Sequence, residues 1–250
     1  MTNSWRSLKK YMIMAIAIAL IVFIWRIVPP IRSQSLADFP PPKVHPLPES
    51  LTNFADRARR DNYLTEIDRT PLGYLVWSQF PIKVFIDKPL QLDNSAADRR
   101  YQAWIRAVEQ AISEWNVYLP LTEISDREMA DIVILRSQPK RDIKLNPETG
   151  LYDIPRAITA ETTYKFYLQK NPGVVAHKMT IEISPSYLGV SLLATVRHEL
   201  GHALGIWGHS KNKEDALYFS QVSDPSGISS RDVNTLVEIY RKPTRLGWQI

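Results

Sequence analysis

Three of the five histidines in this 250-residue chain fall within twelve residues, in the run HELGHALGIWGHS at 198–210. His198 and His202 are four residues apart. On a helix that spacing projects both imidazoles from one face, where their nitrogens can reach a single Zn2+ at about 2.0–2.1 Å. Glu199 sits one step round the helix. From there it is poorly placed to be a ligand but well placed to hold a metal-bound water. Zinc brings the pKa of such a water to about 7, and an adjacent carboxylate can take its proton. The expected chemistry is zinc-assisted hydrolysis, with Glu199 as catalytic base and His198 and His202 as metal ligands.

The helix that must carry these residues is expected from about Ser191 to Leu204. At 100° per residue, Leu193, Val196, Leu200, Ala203 and Leu204 gather on one side and the two histidines lie roughly opposite. The apolar side can therefore pack on a sheet while the imidazoles face a cleft. Gly205 tolerates the left-handed conformation that ends a helix, so the chain can turn back over the metal. His209 is then the expected third ligand. Glu238, Asp215 and Glu214 are the acidic alternatives. His177 reads as a surface histidine rather than a substrate or second-metal group, and His45 as a linker residue.

Further elements are needed to hold that helix. Residues 51–67 read as a short charged helix, and GYLVWSQFPIKVFID (73–87) as strand, with Ile82, Val84 and Ile86 alternating against Lys83 and Phe85. A long helix capped by Asn94 or Ser95 carries Trp104, Ile105, Val108, Ala111, Ile112 and Trp115 on one face and stops before Pro120. ADIVILR (130–136) follows as a strand, giving a βαβ unit with parallel strands. Residues 139–156 read as a loop. Alternation over 158–168 and 179–183, around Asn171-Pro172-Gly173, predicts a hairpin. A last helix is expected near 230–241, starting at Ser229 or Ser230.

HELGHALG followed closely by His-Ser resembles the matrixin branch of the metzincin zinc proteases. The order strand, long helix, strand, hairpin, zinc helix is similar to that of a matrixin catalytic domain. The resemblance covers roughly Ile82 to Tyr240 and is strongest at 191–218. It implies an α+β fold, with a twisted mixed sheet, a long helix and a zinc-binding active-site helix. It also implies endopeptidase activity on a protein or peptide substrate, lying as an extended strand along the hairpin edge. Two departures stand out. The metzincin pattern HExxHxxGxxH would place the third ligand at 208, which is Gly208, so His209 requires one inserted residue. In Asp215-Ala216-Leu217-Tyr218, the counterpart of the Met-turn, Leu217 stands where Met is expected. Leu and Met are close in volume, and such swaps usually cost less than ~1.5 kcal/mol.

Composition bounds the rest. Hydrophobic residues make up 44% and charged residues 23%, ordinary globular usage that predicts a real core. Cysteine is absent, which excludes disulfides, thiolate ligands and cysteine-dependent latency. The net charge of +5 is spread along the chain, and no nucleic-acid-binding signature accompanies it. No ordered run of Asp resembles a calcium loop, so calcium is unassigned. Residues 1–10 are a basic segment. Residues 11–28 are apolar apart from Arg26 and read as a transmembrane anchor or export signal. Residues 29–50 hold seven prolines and read as a semi-rigid linker. The zinc protease domain is expected over 51–250, outside the cytoplasm. Two other readings remain: a membrane-anchored binding protein of the same fold without turnover, and a cytosolic zinc protein.

Overall fold

The computed structural model describes residues 39–55, 61–89, 91, 95–140, 144–145, 152–153, 159–169, 173–220 and 225–250. The expected basic segment, apolar segment and first part of the linker lie outside these residues. Among the described residues no helix is long and apolar enough to cross a membrane.

The fold is α+β, built on a mixed five-stranded sheet. Its strands are β1 (Ile82–Ile86), β2 (Leu121–Glu123), β3 (Ile132–Leu135), β6 (Ala160–Gln169) and β7 (Val174–Ile183), in the order β2-β1-β3-β7-β6. The first four strands of that order run parallel, and β6 returns antiparallel along β7 as an edge. A two-stranded pair, β4 (Lys144–Leu145) and β5 (Tyr152–Asp153), stands apart within the stretch expected to be loop.

Among the described residues the α-helices are α1 (Glu49–Ala55), α2 (Ala96–Asn116), α3 (Gly189–Ala203) and α4 (Ser230–Tyr240). The expected βαβ unit is present as β1, α2 and β3, with β1 and β3 in parallel register from Val84↔Ile132. Ser95 caps α2 by accepting the Asp98 amide. Trp104, Val108, Ala111 and Trp115 form its buried face. Burying the larger of these side chains stabilises by roughly 1.5–3 kcal/mol each. They meet Ile82, Val84, Ile132, Ile134 and Ile181 from the sheet and Val196 and Leu200 from α3 in one continuous core.

Several expectations need correction. Residues 73–77 are not strand: Tyr74, Leu75, Val76 and Trp77 are buried in irregular chain. Apolar alternation reports burial, and here a loop is buried because other elements supply its partners. The Trp77 indole, for example, donates to the Ala203 carbonyl at 2.9 Å. The helix expected over 51–67 is α1, from 49 to 55, and a 3-10 turn at Leu64–Glu66. The short β2 follows α2 as an extra parallel edge strand.

The linker and domain boundary are also revised. Residues 39–50 are packed on the domain. Lys43 exchanges backbone hydrogen bonds with Thr244 at 3.0 and 2.9 Å, and Arg245 donates to the carbonyl of Pro40. His45 donates to the Leu246 carbonyl at 2.8 Å and stacks on Trp248 at 4.0 Å. Proline density keeps this segment extended, and an extended strand with free backbone groups can dock on an irregular C-terminal segment that offers complementary ones.

Candidate metal centre

The sequence builds α3 as an amphipathic support. Leu192, Val196, Leu200 and Ala203 are buried against the core, with Leu192 rather than Leu193 completing the apolar stripe. Gly201 lies on that side, tight against the side chains of Leu217 and Trp115. A Cβ there would meet Leu217 at 2.5 Å and Trp115 at 3.1 Å. The helix ends as expected at Gly205 (φ +124), where the Gly205 and Ile206 amides close on the His202 and Gly201 carbonyls at 3.1 and 3.0 Å. This pair of bonds is a Schellman ending.

His198, His202 and His209 come together: one ligand nitrogen from each lies within 4.8 Å of the others, the sole such cluster among the described residues. The Nδ1 of His198 faces the Ala216 carbonyl at 2.9 Å, and that of His202 faces the Ile206 carbonyl at 2.7 Å. A carbonyl can only accept, so each Nδ1 carries the proton and each Nε2 presents a lone pair. The two Nε2 atoms are 3.1 Å apart. Tetrahedral zinc with nitrogens at about 2.0–2.1 Å separates two ligands by roughly 3.3 Å. Burial, the dominant cause, drops the His198 pKa to about 4 and that of His202 to about 3. Burial also lowers that of His209, against an opposing pull from Asp68. Neutral imidazole is the ligand form, so the donor set fits zinc.

The loop that leads to His209 is held by close backbone contact. Gly208 forms a bridge with Ile67, and Asp68 N–H donates to the Trp207 carbonyl at 2.9 Å. A Cβ on Gly208 would stand 2.1 Å from the Glu66 carbonyl oxygen. Glycine is therefore required there by the neighbouring chain.

Glu199 is buried, and its Oε2 accepts from the Thr162 hydroxyl on β6 at 2.6 Å. Burial lifts its carboxyl to about 7; Thr162 opposes the rise and Glu161 adds to it. A carboxyl balanced near neutrality suits both halves of general acid–base work. Asp68, Glu161, Thr162 and Trp207 complete a cleft of about 340 Å³ around the three histidines. A second cavity of about 200 Å³ opens on the other side of His198 and Glu199, between Thr159, Thr195, Lys213, Tyr218 and Phe219.

The acidic alternatives are occupied elsewhere. Asp215 accepts from Ser210, Ser229 and Arg231. Glu238 pairs with Arg241 and Lys242, and Glu214 is exposed, facing Ser226. Leu217 is fully buried under α3 at Gly201. His177, expected at the surface, is instead buried. It is 2% exposed, stacked on Trp77 at 3.8 Å, with Nε2 lacking a partner. It lies on the core-facing side of β7, together with Met179 and Ile181.

Sequence reasoning missed the residues that hold the turn. Asp232, fully buried at the start of α4, accepts from the amides of Ala216 (2.8 Å), Leu217 (3.4 Å) and Ser229 (2.8 Å) and from the Tyr63 hydroxyl (2.5 Å). It thereby fixes the carbonyl that orients His198. The signal was present as a capping box, Ser229 with Asp232 three residues on. Its second duty, to the 215–218 turn, is invisible without the fold. Arg197 was also missed. Its guanidinium binds both oxygens of Glu114 (2.6 and 3.0 Å) and the Ser226 carbonyl (3.0 Å), tying α3 to α2. No protein-family model and no curated protein sequence matches this chain.

Proposed function

We propose that the chain is a zinc-dependent endopeptidase of matrixin-like, metzincin type, held at a membrane by its N-terminal segment, with its catalytic domain outside the cytoplasm. The observation that carries the reading is the convergence of His198, His202 and His209, with two Nε2 lone pairs 3.1 Å apart and both Nδ1 protons committed to carbonyls. Carbonyl partners on the far ring nitrogen are the usual means of orienting metal-binding imidazoles.

Zinc, when bound by these three residues, supplies the Lewis acidity that polarises a carbonyl and acidifies water. Glu199 supplies the base, taking a proton from the attacking water and returning it to the departing amine. Thr162 holds one carboxylate oxygen, leaving the other for water. β6 is an edge strand whose residues 160–162 line the cleft, so an extended peptide can pair with its free backbone groups beside the histidines. The order of elements, the turn beneath α3 and the buried Leu217 support the family resemblance.

The test is zinc stoichiometry and cleavage of an unstructured protein by the full chain, its Glu199→Ala variant and its His209→Ala variant. Glu199→Ala is expected to keep zinc and lose cleavage. His209→Ala is expected to lose both. Equal cleavage by wild type and Glu199→Ala refutes the protease reading, and an absence of cleavage in both favours the binding protein.

A further inference from the structure

The cleft around the three histidines carries charge of one sign. Asp68 and Glu161 line it, and among the described residues no lysine or arginine does. Asp68 is placed there by its own N–H, which donates to the Trp207 carbonyl at 2.9 Å. Its charge reaches His209, and that of Glu161 reaches Glu199. The cations next to Asp68 and His209 in sequence are engaged elsewhere. Arg69 sits over the Tyr74 ring, 5.6 Å from its centroid, and Lys211 pairs with Glu66 at 2.8 Å. Across the hairpin Glu182 stands opposite Glu161, and like charges so placed are unfavourable. With zinc bound by neutral imidazoles and Glu199 ionised, the centre would hold one positive charge against the two lining carboxylates, so the cleft stays anionic.

Trp207 adds an aromatic surface. It is half-buried, with its ring centroid 5.8 Å from that of His202 and 5.0 Å from that of Tyr164, which it meets edge-on. An aromatic ring beside carboxylates suits both the apolar stem and the charged head of a lysine or arginine side chain. The cavity on the other side of His198 and Glu199 has a different character. Lys213 lines it, and Asp215 there is already taken by Ser210, Ser229 and Arg231. β6 relates the two spaces. Thr159 and Ala160, at its start, border the cavity, and Ala160, Glu161 and Thr162 border the cleft. A peptide pairing antiparallel with β6, the more stable arrangement per residue, therefore runs from the cleft of Asp68 toward the cavity of Lys213.

We propose that the cleft selects peptides by a lysine or arginine side chain, held by Asp68, Glu161 and Trp207 on the amino-terminal side of the bond to be cleaved. The inference deepens the proposed function and rests on its endopeptidase reading. The chain as a whole has a net charge of +5, which attracts acidic peptides, so a preference for basic ones must come from the cleft itself.

The test uses a chymotryptic peptide pool and the zinc-loaded full chain. Glu199→Ala, expected not to cleave, is mixed with the pool, and the peptides it retains are identified by mass spectrometry. Wild type receives the same pool, and the new termini are sequenced. Lysine and arginine are expected to be enriched about fivefold in the retained peptides, the upper range for an exposed ion pair. The same enrichment is expected close to the cleaved bond on its amino-terminal side. Adding Asp68→Asn and Glu161→Gln together should return the retained peptides toward the composition of the pool, and Asp68→Lys should turn the preference toward Asp and Glu. A reversal of that kind is not produced by structural damage. Retained peptides without basic enrichment, or basic residues confined to the carboxy-terminal side of the cleaved bonds, overturn the inference. Unchanged enrichment in the Asp68→Asn, Glu161→Gln protein overturns the assignment to these carboxylates. Basic peptides retained but none cleaved by wild type leaves the selectivity of the cleft standing and overturns the protease reading; no peptide retained and none cleaved overturns both.

Discussion

Gly208→Ala probes how the loop that presents His209 is held. The added methyl would stand 2.1 Å from the Glu66 carbonyl oxygen and 3.0 Å from both the Glu66 carbonyl carbon and the Ile67 Cα. All three are backbone atoms, so no side-chain rotation relieves the contact. The two chains must part by roughly an ångström, which weakens the Ile67–Gly208 bridge and the 2.9 Å hydrogen bond from Asp68 to Trp207. Overpacking and one lost hydrogen bond together cost about 2–4 kcal/mol. His209 is the next residue, and metal ligands tolerate displacements of only about 0.2 Å. Zinc affinity is therefore expected to fall at least about 10–100-fold, the loss usual when the support of a ligand is removed. Urea unfolding in chelator isolates the structural cost, and a competitive zinc titration reads the metal effect. Gly173→Ala is the control: its Cβ meets nothing within 4 Å, so stability should stay within about 0.5 kcal/mol. Wild-type stability and zinc affinity in Gly208→Ala would refute the argument that close backbone approach positions the third ligand.

Asp232→Ala leaves the buried amides of Ala216 and Leu217 and the Tyr63 hydroxyl unpaired; a loss of about 3 kcal/mol in chemical unfolding and weaker zinc binding are expected, and an unchanged zinc titration would show that the turn does not orient His198. Arg197→Ala strands the part-buried Glu114 carboxylate and should cost about 2–3 kcal/mol, discounted for the exposure of Glu114, with a coupling in the double-mutant cycle to Glu114→Ala. Leu217→Met should change stability by less than ~1.5 kcal/mol and leave zinc affinity intact, because volume is preserved under Gly201. His177 is buried neutral, its pKa lowered by burial to about 3. A depressed folded pKa means its contribution is whole above about 6.5 and is lost as pH falls from there toward about 3. His177→Phe should therefore flatten the acid limb of stability measured between pH 7 and 4 relative to wild type, and parallel limbs would count against the burial.

Local pattern determined much of this protein. The i, i+4 histidines of α3, its apolar stripe, the Gly205 ending, the Trp104–Trp115 face of α2 and the alternation of the hairpin are all nearest-neighbour statements about periodicity. Periodicity is a property of the chain itself. The same kind of evidence misassigned 73–77 and His177, because apolar alternation and a lone histidine report burial only when the neighbours are known. Trp77 and His177 stack on each other from positions one hundred residues apart. The path of the loop before His209 depends on how closely the Glu66–Asp68 backbone passes Gly208. The second role of Asp232 depended on α4 arriving beneath the 215–218 turn, and the docking of residues 39–50 on an irregular C-terminal segment with backbone groups to spare. Each is a contact between segments remote in sequence, set by packing and hydrogen-bond satisfaction across the fold. Residue types nominated candidate metal ligands and a candidate base; tertiary structure decided what holds them in place.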